Sequence, residues 1–526
     1  MIRAMYASHG FLRSDIGDVD VVYHDGLFHL FHLVLPNHDF IAHAVSEDGM
    51  TWRRVRNALF VGEPGNWDDD MLWTMHVTPD PDRPGAWRMF YTGLSCEEYG
   101  RVQRVGMARS DDLYSWTRCD NPAYPLEISP DHYESRADEG RQWVSFRDPF
   151  FYHDPATGDR YLLASARVKE GPLIRRGCVG LARETAPDQF EFGPPLHRPG
   201  LYDDVEVPNL FRLDDRYFLL GSIREDTKVH YWWSNDLHGP YENYFDNVLL
   251  PHGNYAARIC RVGDRILVFN FFARKETQYG RETIARLLPP PKELVTHAHG
   301  RLHLRSFHGF DDLSKNPFEV TNPAEFEPLF HNPHARVEAN GDGLHLSCNS
   351  GYEAFLIPGD HEDFRLRAHV ELEGDGKCGL VLRVNDEGDG YYLSLDLVMG
   401  LAQLRHWGVS PHPEFEHAFK YETLQTGNFI TDPNRPDWDI EIVAHGMYIE
   451  LSINGQVTLS LVDDGFARGR IGFYSESAKL KLNGITMEWL MRPTVSNEAV
   501  HTSFHAPEIP LSPATPPPTD SNKPDL

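Results

Sequence analysis

What this 526-residue chain has little of narrows its class before any motif is read. Cysteine is scarce: Cys96, Cys119, Cys178, Cys260, Cys348 and Cys378 lie far apart, with no CxxC pair. That excludes a disulfide-framed scaffold and a cysteine-based zinc site, and predicts reduced, mostly buried thiols. No apolar run approaches the roughly 18 residues of a membrane-spanning helix. The opening MIRAMYASHGFLRSD holds no apolar core followed by a small-residue cleavage site, and no Asn-x-Ser/Thr sequon occurs. Both predict a cytoplasmic protein. Basic charge is short as well, with 50 Lys+Arg against 78 Asp+Glu and a formal net charge of -28. Nucleic acid and anionic membranes need a basic surface, so both are excluded as partners. The balance suits a soluble enzyme acting on a neutral ligand. No Gly-rich phosphate loop and no HExxH spacing is present, so neither a nucleotide, a metal nor another cofactor is expected. Oligomeric state is open.

Apolar content of 41% and aromatic content of 12% are ample for globular cores, and the length predicts two or three domains. Long amphipathic helices are hard to find. Short strand candidates recur instead: LFHLFHL (Leu27 to Leu33), WRMFYTG (Trp87 to Gly93), RYLLASA (Arg160 to Ala166), RYFLLGS (Arg216 to Ser222) and RILVFNFF (Arg265 to Phe272). Each follows a turn signal such as HDG, TGD or VGD. Their spacing of roughly 50 to 70 residues is that of a four-stranded propeller blade. A second element follows several of them, as in HAVSEDGMTWRRV, MARSDDLYSWTRC and YWWSNDLHGPYEN. Five copies predict an all-β fold that opens with a five-bladed β-propeller over residues 1–305. After a linker at 306–317 the texture changes to clean alternation with NG and DG turns, which predicts a β-sandwich over 318–492. The Pro/Ser/Asp-rich residues 493–526 are expected to be disordered.

WVSFRDPFFYHD poses the functional question: Arg147 and Asp148 sit inside an aromatic run fit for burial. Burying such charges is costly unless they are paired or used. Acids recur at the same place in other blades: Asp18 and Asp20 in IGDVDVVYHDG, and Glu206 in DDVEVPNLFRLDD. Inner propeller strands converge on a central channel, so these acids would meet at one of its mouths. Glycoside hydrolysis uses such a set. One carboxylic acid protonates the leaving oxygen, and a carboxylate attacks or activates water. A third carboxylate can bind sugar hydroxyls and raise the acid's pKa by like-charge proximity.

FRDP, VEVPNLF, LPPPKELVTHAHGRL and GRIGFYSESAKLKLNGITMEWL, in that order, resemble glycoside hydrolase family 32 of the clan J propeller glycosidases, with family 43 a more distant relative. VEVPNLF keeps the acid of the family's Glu-Cys-Pro-Asp-Leu-Phe motif, with Val207 for Cys and Asn209 for Asp. The resemblance implies Asp18 as nucleophile, Glu206 as general acid/base, and Asp148 as the residue holding two adjacent sugar hydroxyls. Arg147 would tether an acid or a ring hydroxyl. The first motif departs from the family's Trp-Met-Asn-Asp-Pro-Asn-Gly, and Asp20, on the same strand face by simple alternation, remains a rival to Asp18 and a candidate substrate ligand. DDDMLWTMHV also departs from Phe-Ser-Gly in blade two. These departures bear on fructose specificity more than on hydrolysis. The resemblance thus implies a glycosidase acting on a carbohydrate, first among its substrates β-fructofuranosides, with retention. Arabinofuranosides or xylosides with inversion, and a sugar-binding propeller without catalysis, stand as alternatives.

Trp73 is the aromatic expected in the pocket, ahead of Trp67, Trp143 and the Trp232–Trp233 pair, which suit packing between blades. Asp68, Asp69 and Asp70 read as solvated surface rather than a calcium site. His76 and His252 could reach the channel. Tyr391, Tyr392 and Trp407 are candidate exposed rings of the sandwich, whose role, sugar binding or buttressing, sequence leaves open.

Overall fold

Strands of branched and aromatic residues separated by tight turns pair with their neighbours in sequence, so the sheet order follows chain order. The computed structural model describes residues 15–278, 281–297, 300–373, 376–409, 419–431 and 437–492. The N-terminal stretch read above for a targeting signal and residues 493–526 lie outside them.

Five separate antiparallel sheets follow one another. Their innermost strands are Asp15–His24, Met71–Pro79, Arg147–His153, Glu206–Leu213 and Asn254–Val262, one per blade. Each predicted strand motif is the second strand of its blade: Leu27–Leu35, Trp87–Leu94, Arg160–Arg167, Arg216–Ile223 and Arg265–Gln278. These second strands are buried on both faces, which explains their near-continuous apolar sequence. The fifth blade closes with Lys292–Thr296 and Leu302–Arg305, and its long second strand also carries a hairpin with Arg281–Leu287. The architecture is a five-bladed propeller.

Residues 306–317 hold a short helix, Gly309–Leu313, and Ser314–Glu319 already pairs with the last sandwich strand. That strand, Gly469–Leu490, belongs to both layers of a β-sandwich. Its first half pairs with Lys377–Val384 and its second with Phe364–Glu373. The change of partner falls near Ser477, whose φ of 52° bends the strand. One apolar cluster runs from Phe28, Phe269 and Phe310 beside the propeller into Phe355, Phe473 and Met487 of the sandwich. Polar ties cross the same boundary: Asn254 Nδ2 donates to the Ser460 carbonyl at 2.9 Å, and Arg274 pairs with Asp464 at 2.6 Å. No helix among the described residues is long and apolar enough to cross a membrane.

Candidate active site

All five inner strands carry a β-bulge at the same place, near their start. The register slips between Ile16 and Val19, Trp73 and Met75, Arg147 and Phe150, Glu206 and Asn209, and Tyr255 and Arg258. A bulge breaks simple alternation and re-aims the side chains beside it. Asp148, Val207 and Ala256 stand at these bulges with φ of 59°, 49° and 52°. A non-glycine residue held there costs on the order of 1–3 kcal/mol, so the surrounding fold must impose it. The strained turns are what point functional groups at one end of the channel.

Asp18, Thr74, Arg147, Asp148, Glu206 and Tyr255, one or two from each blade, line one cavity of about 760 Å³. Trp73 lines it too, with its buried indole N–H unpartnered, alongside Trp143 and Gln103. These five bulges answer the question raised by Arg147–Asp148. The pair is buried because it forms the floor of a polar pocket inside an otherwise apolar blade.

The electrostatics divide the three acids. Thr74 donates a hydrogen bond to Asp18. Burial first, then the charge of Asp148, pushes Asp18 up to about 7 despite that bond. Asp148 accepts from the Val207 amide at 3.0 Å, and its own amide donates to Thr92 Oγ1 at 3.1 Å. Burial raises its pKa, Arg147 opposes the rise, and Glu206 adds to it. Glu206 accepts from Arg147, Arg224 and the Tyr255 hydroxyl. Burial would raise Glu206, but Arg147 and then Arg224 outweigh it and hold this carboxyl below its usual range. Arg147 also reaches Asp204 at 3.2 Å and Ser145 Oγ at 3.0 Å. Asp204 in turn pairs with Arg141 at 2.7 Å. Near pH 7 Asp18 is therefore poised between its two protonation states, while the arginines favour the ionised form of Glu206.

Asp20 does not reach the cavity. The bulge at Gly17–Asp18 breaks the alternation that would place both acids on one face. Asp20 is fully buried behind the pocket, accepts from the Val77 amide at 2.5 Å, and lies 3.3 Å from His76. The reading of Asp20 as substrate ligand or nucleophile is therefore corrected: it joins blade one to blade two. His76 stacks on Phe150 at 4.3 Å and also lies off the cavity. His252 Nδ1 is 2.9 Å from the Asp226 carbonyl, likewise outside it. Trp67 stacks on Tyr91, and Trp232 is buried between blades. Asp68 departs from the solvated reading, since it is buried on the Tyr91 hydroxyl at 2.9 Å and Arg118 at 2.8 Å. Among the described residues no three His, Cys, Asp or Glu side chains converge as a metal site would need. Tyr391 is buried inside the sandwich, donating to Asp463 at 2.6 Å, and Tyr392 is buried too, whereas Trp407 is exposed.

Sequence reading missed Thr74, Arg224, Tyr255 and Asp204. Thr74 and Tyr255 had a signal: each stands near the start of its inner strand, the stretch that carries an acid in the other three blades. Arg224 and Asp204 lie on loops and had none.

Residues 18–256 match the family model described as "Glycosyl hydrolases family 32 N-terminal domain". The whole fold is similar to fructan 1-exohydrolase IIa from Cichorium intybus, with a TM-score of 0.66, 14% identity, and coverage of 92% of this chain and 96% of that one. Exo-inulinase from Aspergillus awamori gives 0.65 at 14% identity, covering 93% and 98%. The β-fructofuranosidase of Aspergillus kawachii gives 0.65 at 15%, covering 93% and 94%. No curated protein matches the chain by sequence.

Proposed function

From a chain that carries the glycoside hydrolase family 32 N-terminal domain, we propose a glycosidase that cleaves furanosidic bonds, β-fructofuranosides first, by double displacement with retention. The observation that carries this reading is the meeting of Asp18, Asp148 and Glu206 in one cavity, each from the bulge of a different inner strand. Similar folds named for fructan, inulin and fructofuranoside hydrolysis support the same substrate class.

In this reading the furanose ring sits over Asp148, whose carboxylate takes two neighbouring hydroxyls. Ionised Asp18 attacks the anomeric carbon while Glu206 protonates the leaving oxygen; a water activated by Glu206 then releases the sugar. The cluster must hold one proton, and it must stand on Glu206 at the moment of bond cleavage. A leaving oxygen that displaces the Arg224 side chain from Glu206 removes one of the charges holding that carboxyl ionised. Arg147 stays and keeps Glu206 aimed at the cavity.

Substrates with good leaving groups separate the roles. Glu206→Gln should lose about 10²–10⁴-fold on sucrose or inulin, yet retain much of its glycosylation rate on an aryl fructofuranoside that needs no protonation. Full activity of that variant on sucrose would remove Glu206 from the acid role. NMR of the first-formed anomer decides between retention and inversion.

A further inference from the structure

The sandwich holds a second cavity, of about 1190 Å³, and no residue of the catalytic pocket lines it. Strands Gly469–Leu490, Lys377–Val384, Gly390–Asp396, Leu401–Val409 and Phe419–Asn428 lie side by side behind it. One rung crosses all five: Tyr474, Gly379, Ser394, Gln403 and Thr426. Burial alternates along Leu401–Val409, so Gln403, Arg405 and Trp407 face the cavity while Ala402, Leu404 and His406 face the core. Trp407 stands opposite Tyr421 on the next strand, their rings edge to face at 5.1 Å. Tyr392 packs on the same indole, also at 5.1 Å. Gly379 makes room for the Tyr474 ring, which a Cβ at that position would meet at 2.6 Å.

The face is both apolar and ordered. Trp407 and Tyr421 are 42% and 53% exposed, which leaves two large rings side by side in water with no gain to the core. The turn that walls one side is pinned as well: Asp396 accepts from the Val398 and Met399 amides at 3.1 and 2.8 Å, and both side chains stand exposed. A polar line runs between the rings and the sheet. Arg405 donates to Ser394 Oγ at 3.1 Å and to Gln403 Oε1, and Gln403 Nε2 donates to Thr426 Oγ1 at 3.1 Å. Those bonds use two of the five guanidinium N–H groups and hold the Arg405 and Gln403 planes in place.

A sugar ring offers C–H bonds on its faces and hydroxyls around its edge. Its faces pack on aromatic rings, and its edge takes hydrogen bonds from guanidinium and amide groups. An anion suits the cavity poorly: Lys377 is tied to Glu476 at 3.4 Å, and Glu387, Asp389 and Asp396 line it too. An apolar protein surface would have to desolvate the polar line without replacing its bonds to water. The volume exceeds the roughly 300–1,000 Å³ of a small-molecule pocket, so the cavity has room for several sugar units.

We propose that this face of the sandwich is a second carbohydrate site. It holds a neutral oligo- or polysaccharide chain, with Trp407 and Tyr421 as stacking platform and Gln403 and Arg405 as the hydrogen-bonding edge. The site does not depend on which glycosidic bond the propeller cleaves.

Affinity electrophoresis of the full chain through gels containing inulin, linear arabinan, β-glucan or pectate tests it, in an Asp18→Asn background so that no polymer is cut. At least one of the three neutral polymers should retard the chain, and pectate, the anionic control, should not. Adding Trp407→Ala/Tyr421→Ala should raise the apparent Kd by at least about tenfold. Without Asp18→Asn, the same pair of ring substitutions should leave sucrose cleavage unchanged, which also shows that the double variant folds. Retardation by no neutral polymer, equal retardation by pectate, or retardation that the double variant keeps overturns the site. A sedimentation mass of two chains that falls to one in the double variant overturns it too, because a second copy then covers the face. Retardation lost in the double variant, with no furanoside cleaved by the unsubstituted chain, sinks the fructoside reading and leaves this site standing. Sucrose cleavage without retardation does the reverse.

Discussion

Asp18 holds a carboxyl where burial and Asp148 push its pKa to about 7, and that has consequences for both rate and stability. Its pKa in the fold lies above its unfolded value of 3.8, so the fold favours the protonated form. The resulting penalty is absent below about pH 4 and fully developed above about pH 7. Asp18→Asn should therefore stabilise the fold more at pH 8 than at pH 4, by a free energy on the order of 1 kcal/mol once screening at the open pocket is allowed for, and raise the melting temperature more at pH 8. The same variant should lose about 10³-fold or more in kcat. Thermal scans at the two pH values check it; equal shifts at both would show that Asp18 carries no such strain. The shared proton also sets an alkaline limb. Above about pH 7 Asp18 loses the proton that Glu206 needs, and kcat/KM on sucrose should fall, as a pH–rate profile would record.

At the scale of elements, a single side chain from blade five ties the bulges of blades three and four together from behind. Arg258 is fully buried and donates to the Pro208 carbonyl at 2.7 Å and the Pro149 carbonyl at 2.8 Å. Those carbonyls belong to the bulges that carry Glu206 and Asp148. Arg258→Met strands them, along with Asp20, and should cost about 3–5 kcal/mol in urea unfolding, with activity falling although Arg258 does not line the cavity. Blade one carries a different liability. His29, His32 and His43 are packed on neighbouring strands, with 3.1 Å between His29 Nδ1 and His43 Nε2. Burial above all lowers them from 6.5 to about 4, 3 and 2. Their folded pKa values are depressed, so the unfolded chain takes up protons first as pH falls below 6.5. Stability should drop by roughly 2 kcal/mol per histidine between pH 6.5 and 5. The melting temperature should follow, and His43→Asn should lessen its slope against pH; an unchanged slope would place the sensitivity elsewhere.

At the scale of the molecule, propeller and sandwich share one apolar cluster, and a buried charge sits near their seam. Lys292, fully buried at the start of a blade-five strand, donates to the Pro290 carbonyl at 3.2 Å and lies over the ring of Tyr448 of the sandwich at 5.3 Å. Burial lowers it to about 8, and the opposing charge of Glu450 is what keeps it from falling further. Tyr448 donates its hydroxyl to Glu450 at 2.5 Å. Removing one charge of such a pair leaves the other uncompensated, so Lys292→Met or Glu450→Gln alone should cost about 3–5 kcal/mol, while Lys292→Met/Glu450→Gln together should cost less than the sum. Additive losses in denaturant melts would show that the two charges do not feel each other.

The sequence by itself determined the all-β class, the five blade strands, the change of texture after the propeller, and the three acids at strand starts. Each of these depends on local periodicity, turn chemistry or recurrence, all of which are written along the chain. Tertiary structure alone decided which of Asp18 and Asp20 lines the cavity, because a one-residue bulge reverses which face a side chain takes, and alternation read from sequence has no means to place it. It also decided that Asp68 is buried beneath Tyr91 and that Arg224 and Asp204 close around Glu206. Those partners come from loops and strands far apart in sequence, and their proximity is set by the closure of the blades around a common axis.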